Sequence, residues 1–208
     1  FMGSGSLLRE LARHLAVRMS YEDIIRVAQL KTRPERFERI RAEIGVDGTE
    51  PYEVVDFFKP GIPEFADLLL PSLGRRLLAW AEKAPEKRRF NSGMQVKTTS
   101  IFGFLRVWLL ARMRFWRRRT LRFAEEQKQI ESWLALVERA QAQDPALALQ
   151  VCDLARLVKG YGDTHRRANA SYRELVERLV DPALAGNGSS KGAANKLKDE
   201  IAQLLATH

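Results

Sequence analysis

The chain has 208 residues, of which 45% are hydrophobic, and a formal net charge of +9. This length suits one large domain or two small ones, with a core that needs no disulfide. The single cysteine, Cys152, excludes an intramolecular disulfide and a cysteine-ligated zinc or iron–sulfur site within this chain. The three histidines are too scattered for a metal site, and the most apolar window, residues 101–110, is half the ~20 residues of a membrane span. We expect a soluble, cytoplasmic protein without a secretory signal, a membrane span or a bound metal.

The positive charge is concentrated in one segment of the sequence. Residues 86–122 contain eleven basic side chains and one acidic side chain, and the rest of the chain is nearly neutral. The candidate contact residues in this segment are Arg112, Arg114, Arg117, Arg118, Arg119 and Arg122. One basic segment on a near-neutral scaffold predicts a local docking surface for an anionic partner.

Helical spacing and capping residues dominate the N-terminal part. Leucines that recur every three or four residues from Leu8 predict a first helix. Residues 20–23 form a capping-box variant that predicts the start of a second helix. Thr32 and Pro34 predict the N-cap and the early proline of a third helix, which Gly45 ends.

Glycines and prolines make residues 46–63 a connector between helices. Residues 52–58 are predicted to be extended and to pair with residues 94–99 in one short hairpin. Pro63 suits the first turn of the next helix, and another helix is predicted over residues 73–84.

The second half of the chain predicts longer helices. Residues 101–118 are apolar nearly all round at first, which predicts a central buried helix, and are basic towards the end. An amphipathic helix is predicted over residues 120–143. Asp144, followed by a proline, is a clear N-cap for a helix that runs to Lys159.

The whole pattern predicts an all-α bundle of about nine or ten helices with at most one short β-hairpin. A helix over residues 169–180 completes a single helical domain that spans residues 7–181. Residues 186–192 are a flexible linker, and residues 193–208 are a last amphipathic helix. Residues 1–6 are interpreted as an expression remnant.

Residues 159–167, KGYGDTHRR, combine the residue types of an anion site with those of a turn. As an anion site, glycine amides and a helix start would hold a phosphate that Lys159, Arg166 and Arg167 help to neutralise. As a turn, the segment joins two helices, an interpretation we favour because no strand precedes it and its spacing matches no nucleotide-binding motif. The turn residues are then Gly160, Gly162, Asp163 and Thr164. Whether the basic side chains also bind an anion stays open.

No catalytic residue is predicted. Asp163 and His165 are two residues apart in a turn and need not face each other, so we expect a capped or solvent-facing histidine. Phe115 and Trp116 lie among arginines, a composition that nucleic-acid binders use. Aromatic residues at helical spacing are more often core residues, so an acidic protein surface is the expected partner and an independent nucleic-acid-binding module is the alternative.

Four ordered stretches are similar to a known family: YEDIIRVAQLKTRPERFERIRAE, FFKPG, MQVKTTSIFGFLRVWLLARMRFWRRRTLRFAEEQ and DPALALQVCDLARLVKGYGDTHRR. Together they resemble the C-terminal helical domain of the beta-subunit family of indolepyruvate ferredoxin oxidoreductase. The likeness covers about residues 8–181.

The resemblance implies a parent enzyme that oxidatively decarboxylates aryl-2-oxoacids with thiamine diphosphate, iron–sulfur clusters and coenzyme A, and reduces ferredoxin. The chain itself would be a non-catalytic accessory or assembly domain, because it has neither a cluster-ligand set nor a thiamine-diphosphate motif. It would dock to catalytic subunits or to acidic ferredoxin through the basic segment. A coenzyme A or phosphate contact at residues 159–167 is a further hypothesis.

Overall fold

The computed structural model describes residues 3–20, 23–46, 50–58, 61–83, 93–159, 162–186 and 190–206. These residues form helices and one two-stranded sheet, so the predicted all-α bundle with a short hairpin is confirmed. The α-helices are α1 (Gly3–Arg18), α2 (Ile24–Lys31), α3 (Pro34–Ile44), α4 (Ile62–Leu68), α5 (Pro71–Lys83), α6 (Ile101–Arg112), α7 (Leu121–Gln143), α8 (Pro145–Asp153), α9 (Gly162–Leu175), α10 (Asp181–Leu184) and α11 (Ser190–Ala206). The 3-10 turns are Met113–Phe115, Arg117–Arg119 and Leu154–Arg156, and a π turn, Val176–Val180, joins α9 to α10.

The hairpin lies within the two segments predicted to be extended. Strands β1 (Val55–Phe58) and β2 (Met94–Lys97) pair in antiparallel fashion, with Asp56 opposite Val96. Because side chains alternate along a strand, Asp56 and Val96 point to the buried face, whereas Phe57 points outward. The hairpin therefore has one packed face and one open face.

Local cap chemistry explains where several helices begin. Asp144 caps α8 as predicted, because its side chain accepts a hydrogen bond from the Ala146 amide at 2.8 Å. Asp23, rather than Ser20, is the N-cap of α2. Its carboxylate accepts from the Arg26 amide at 2.7 Å. An aspartate side chain is a strong cap, and this one lies directly before the first helical residue.

The contacts divide the chain into two compact units. Unit 1 consists of Phe1–Tyr21 and Glu126–His208, and unit 2 of Glu22–Glu125. The domain bounds drawn from the sequence, 7–181 and 193–208, follow composition and periodicity and stay a prediction.

Unit 1 has a large apolar core around α7 and α8. Trp133 is completely buried, and its indole nitrogen donates a hydrogen bond to the Val151 carbonyl at 3.0 Å. Helix α1 contributes Leu7 to this core, and α11 contributes Leu197 and Ile201. Burying a leucine or isoleucine contributes ~2 kcal/mol, so these helices are held mainly by apolar packing.

Unit 2 has a smaller core and a more apolar surface. Its buried cluster consists of Ala28, Val96 and Val107, with Phe58 packed against it. Of the 16 exposed large hydrophobic side chains among the described residues, 13 belong to unit 2. This concentration indicates that unit 2 has a surface suited to a partner.

Several predicted helices have other bounds than those observed. The helix predicted to run to Lys159 ends at Asp153 and is followed by the 3-10 turn Leu154–Arg156, and the helix predicted to begin at residue 193 begins at Ser190. The helix predicted over 169–180 begins earlier, at Gly162, which has a positive φ of 60°. The central buried helix predicted over 101–118 is wrong in length and in burial. Helix α6 ends at Arg112, and its buried side, with Gly103 and Val107, packs on α2 and the end of β2 while the opposite side is exposed. Within the described ranges, no helix combines the length and apolarity needed to cross a membrane.

Candidate functional site

The six arginines predicted as contact residues lie together in unit 2. They run from the end of α6, through two 3-10 turns, to the start of α7. Four of them are exposed and are called the arginine cluster here: Arg112, Arg114, Arg118 and Arg119. The other two, Arg117 and Arg122, are partly buried and have partners within the chain.

Arg117 has a structural contact. Its Nε atom donates to Asp23 Oδ2 at 2.7 Å, and its Nη2 atom donates to Asp23 Oδ1 at 2.9 Å. Both side chains are largely buried, and the paired geometry is one that a lysine could not reproduce. Arg117 thus fixes the second 3-10 turn to the N-cap of α2.

Two members of the arginine cluster stack on tryptophans. The Arg112 guanidinium carbon lies 4.6 Å from the ring centroid of Trp108, and that of Arg119 lies 5.5 Å from the ring of Trp116. The Trp116 indole nitrogen also donates to the Leu68 carbonyl at 3.1 Å. These tryptophans therefore orient arginines, Trp116 also holds the turn in place, and one face of each ring is already in use.

The helix before the arginine cluster has an exposed apolar side. Ile101, Phe102, Leu105 and Leu109 are 82%, 78%, 44% and 55% exposed. With 3.6 residues per turn, these positions share one side of α6, opposite the buried Gly103 and Val107. This side is called the open face of α6. Its last turn carries Arg112, so the open face leads directly into the arginine cluster.

Local contacts fix the start of α6 close to the hairpin. The Ser100 hydroxyl accepts a hydrogen bond from the Gly103 amide at 3.1 Å and caps the helix. A Cβ atom on Gly103 would lie 2.0 Å from the Lys97 carbonyl oxygen. Only glycine allows this close approach between α6 and the end of β2.

The segment 159–167 lies in unit 1 and is described only in part. Lys159, Arg166 and Arg167 are exposed, and Arg166 has a partner within the chain. Gly162 and Thr164 belong to the first turn of α9. Gly160 and the side chain of Asp163 lie outside the described residues, so binding of an anion here stays a hypothesis.

His165 is buried, contrary to the expected capped or solvent-facing position. Its Nε2 atom lies 3.3 Å from Glu126 Oε1 on α7 and 2.6 Å from Asn169 Nδ2 on α9. Both the histidine and the glutamate are 7% exposed. The contact joins two helices of unit 1, and sequence spacing alone could not reveal it because the partner lies 39 positions away.

Arg18 is a second buried ionic group that the sequence did not single out. It is 7% exposed, its guanidinium carbon lies 5.6 Å from the ring centroid of Trp133, and its three side-chain nitrogens lack hydrogen-bond partners among the described residues. Burial lowers the pKa of Arg18 and raises that of the nearby Tyr172 hydroxyl, and each group partly offsets the shift of the other. The sequence did contain a sign that Arg18 is buried, because it follows Leu7, Leu11 and His14 at helical spacing along the packed side of α1.

Cys152 on α8 and His14 on α1 are both buried, and His14 Nε2 lies 3.2 Å from Oδ1 of Asp153, the residue after Cys152. Burial raises the pKa of the Cys152 thiol to about 11, which makes it a poor nucleophile and a poor metal ligand at neutral pH. Burial and the neighbouring Arg13 lower the pKa of His14. No group of three His, Cys, Asp or Glu residues in the described part of the chain is arranged to hold a metal ion. The donors present do not suit an iron–sulfur cluster of the resembled enzyme.

Comparison with known proteins places the chain in a family. The model of a family of unknown function, DUF6537, matches residues 1–178 of the 208-residue chain. The chain belongs to the DUF6537 family. No curated protein and no solved structure matches it.

The DUF6537 match contains every candidate site described above. The open face of α6, the arginine cluster and residues 159–167 all fall inside it, whereas α11 lies beyond it. These features therefore belong to the part of the chain that the family model covers.

Proposed function

We propose that this DUF6537 chain is a non-catalytic accessory or assembly domain of an aryl-2-oxoacid ferredoxin oxidoreductase. It binds a catalytic subunit, or an acidic electron carrier, through unit 2. The observation that carries the proposal is the arginine cluster, four exposed cations at the end of α6 and in the two 3-10 turns that follow, beside an open apolar face. The sequence resemblance described above supports the kind of parent enzyme, and in this proposal thiamine diphosphate, the clusters and coenzyme A belong to the partner.

The distribution of charge supports docking by unit 2. This unit has 21 basic and 14 acidic side chains, a net charge of +7, so unit 1 carries only +2 of the total of +9. Such a field accelerates encounters with acidic surfaces and falls with ionic strength. The apolar neighbours then slow dissociation, because burying apolar area stabilises the complex once formed.

The surroundings of the arginine cluster favour a protein partner over a nucleic acid. Single strands are bound by arginines together with free aromatic faces on which bases stack. Here Arg112 and Arg119 occupy one face each of the Trp108 and Trp116 rings, whereas Phe115 beside them is 82% exposed. The exposed Phe115 ring keeps a nucleic acid as the alternative partner, but the mainly aliphatic open face of α6 suits the core of a protein interface and not contacts with phosphates.

A reconstitution experiment tests the proposal. The full chain is added to the catalytic part of an indolepyruvate ferredoxin oxidoreductase that lacks its own C-terminal helical region, and complex formation and ferredoxin reduction are measured. The quadruple variant Arg112→Gln, Arg114→Gln, Arg118→Gln, Arg119→Gln is expected to bind at least ~10-fold more weakly, with a shallower salt dependence.

The control has the same change in net charge at four exposed arginines outside the cluster. Gln replaces each of them: Arg33, Arg75, Arg76 and Arg139. Equal weakening by both variants would mean that only overall charge matters. The proposal is wrong if the wild-type chain ignores the oxidoreductase and instead binds mixed-sequence DNA or RNA with a steep dependence on salt.

A further inference from the structure

Helix α6 is apolar on two sides, and the fold of unit 2 covers only one of them. Val107 is 5% exposed and packs in the cluster with Ala28 of α2. On the other side, Ile101 and Phe102 are more exposed than any of the other large apolar residues of α6. A partner that buried this side would gain a transfer free energy of ~25 cal/mol for each Å² of apolar surface removed from water.

The dimensions of the open face suit a helix. It extends from Ile101 to Arg112, a rise of ~16 Å or three turns. The apolar residues occupy the first turns, and positive charge occupies the last turn and the 3-10 turns that follow. A partner segment that matches this face has apolar side chains at i, i+3 or i+4, and i+7, with carboxylates at the end that meets the arginines.

The charge of unit 2 makes a second copy of this chain a poor occupant. A second copy carries the same net charge of +7 in unit 2, so two copies that meet through this unit repel each other. An acidic segment gains instead from the same charges. Lysine-poor, arginine-rich surroundings with aromatic and aliphatic residues are also typical of protein interfaces.

We infer that the open face of α6 binds an acidic amphipathic helix of a partner polypeptide. Apolar side chains of that helix cover Leu105 and Leu109, and its carboxylates pair with Arg112 and Arg114. The inference rests on the proposed docking role of unit 2 but specifies the contact. The open face of α6 supplies most of the affinity, and the arginine cluster sets the orientation of the bound helix.

Binding of two synthetic peptides to the full chain tests the inference. One peptide has leucines at helical spacing and glutamates elsewhere, with extra glutamates at one end. The other has the same composition in scrambled order. Calorimetry or fluorescence anisotropy is expected to show at least ~10-fold tighter binding of the patterned peptide. The variant Leu105→Gln, Leu109→Gln is expected to lose this preference.

A matched control and a charge variant complete the design. Leu8→Gln, Val17→Gln changes two exposed apolar residues of α1, which are 67% and 57% exposed, and is expected to bind like the wild type. Arg112→Gln, Arg114→Gln is expected to weaken binding at low salt and to lessen its salt dependence. Circular dichroism checks that each variant keeps its helix content.

Several results would overturn the inference. Equal binding of the two peptides would show that charge alone acts. If sedimentation shows a dimer that Leu105→Gln, Leu109→Gln dissociates, the open face binds a second copy of this chain. If the chain binds anionic phospholipid vesicles and shows no preference between the peptides, the open face binds a lipid surface. If the oxidoreductase binds the wild type and the α6 variant equally, the proposed function stands and this contact is wrong. If the peptide preference holds but the oxidoreductase does not bind, only the parent enzyme is wrong.

Discussion

At the scale of single residues, Asp56 shows how one buried carboxylate joins the hairpin to the helices of unit 2. It lies on β1, is 4% exposed, and accepts hydrogen bonds from Lys31 Nζ at 2.5 Å, Arg36 Nη2 at 2.9 Å and Thr98 Oγ1 at 2.8 Å. Burial alone would raise the pKa of Asp56. The contacts with Lys31, Thr98 and Arg36 outweigh burial, so the pKa lies below its ordinary value.

This lowered pKa predicts the direction of a pH dependence. The folded state favours the ionised form of Asp56, so the stabilisation is present above the pKa of the unfolded chain, about 3.9. It is lost as the pH falls through the lower pKa of the folded state. Asp56→Asn is expected to cost about 2 kcal/mol at pH 7, because the largely buried Arg36 loses a hydrogen bond to a charged partner.

Urea unfolding between pH 7 and pH 2.5 checks this prediction. The loss of stability on acidification should be smaller in Asp56→Asn than in the wild type. Asp199→Asn, at an exposed position of α11, is the matched control and should follow the wild type. An unchanged pH profile in Asp56→Asn would contradict the assignment.

Residue-level features were predictable where they depend on neighbours in sequence. Asp144 is a cap because an aspartate followed by proline suits the first turn of a helix whatever packs against it. The burial of His165 and Arg18 depends on helices that are distant in sequence. For this reason, His165 was expected at a capped or solvent-facing position, and tertiary packing overrode that expectation, whereas the helical spacing of Arg18 behind Leu11 and His14 did carry a sign of burial.

At the scale of elements, the junction between β2 and α6 decides where the open face lies. Gly103→Ala would place a methyl carbon 2.0 Å from the Lys97 carbonyl oxygen, so the helix must shift away from the hairpin. We expect a loss of about 2–3 kcal/mol, as for other overpacked sites. Thermal or urea unfolding measures this loss.

The control for this substitution is another glycine in the same unit. A Cβ atom on Gly93 would meet nothing within 4 Å, so Gly93→Ala should change stability by less than about 1 kcal/mol. Equal effects of the two substitutions would mean that the close approach at Gly103 does not limit the position of α6.

Helix α6 also shows why the candidate site was only half predictable. Its charge run identified the arginine cluster directly, because long charged side chains at the end of a helix seldom become core. Its apolar first half predicted burial, since a helix that is hydrophobic all round is usually surrounded. Periodicity does not show how much of an apolar helix the rest of the chain covers, and here α2 and β2 cover one side only.

At the scale of the whole molecule, the two units differ in composition in a way that suits different tasks. Unit 1 has the extensive core around Trp133, and among the described residues it exposes only Leu8, Val17 and Met19 of the large apolar side chains. Unit 2 has a small core, most of the net charge and most of the exposed apolar residues. Unit 1 has the composition of a well-packed scaffold. Unit 2 combines exposed apolar residues with positive charge, which suits a surface that binds an acidic partner.

The division into units predicts how fragments fold. Unit 1 is discontinuous in sequence: α1 packs on α8, and Leu7, Leu11 and Leu15 contact its core. A fragment of residues 126–208 alone exposes the sites for these leucines, so we expect a broad, weakly cooperative unfolding transition. Adding a peptide of residues 1–21 should restore a cooperative transition, because the peptide binds the folded fragment and not the unfolded one. The same peptide with Leu11→Gln and Leu15→Gln is the control, and equal rescue by both peptides, or full cooperativity of the fragment alone, would show that α1 is not part of this core.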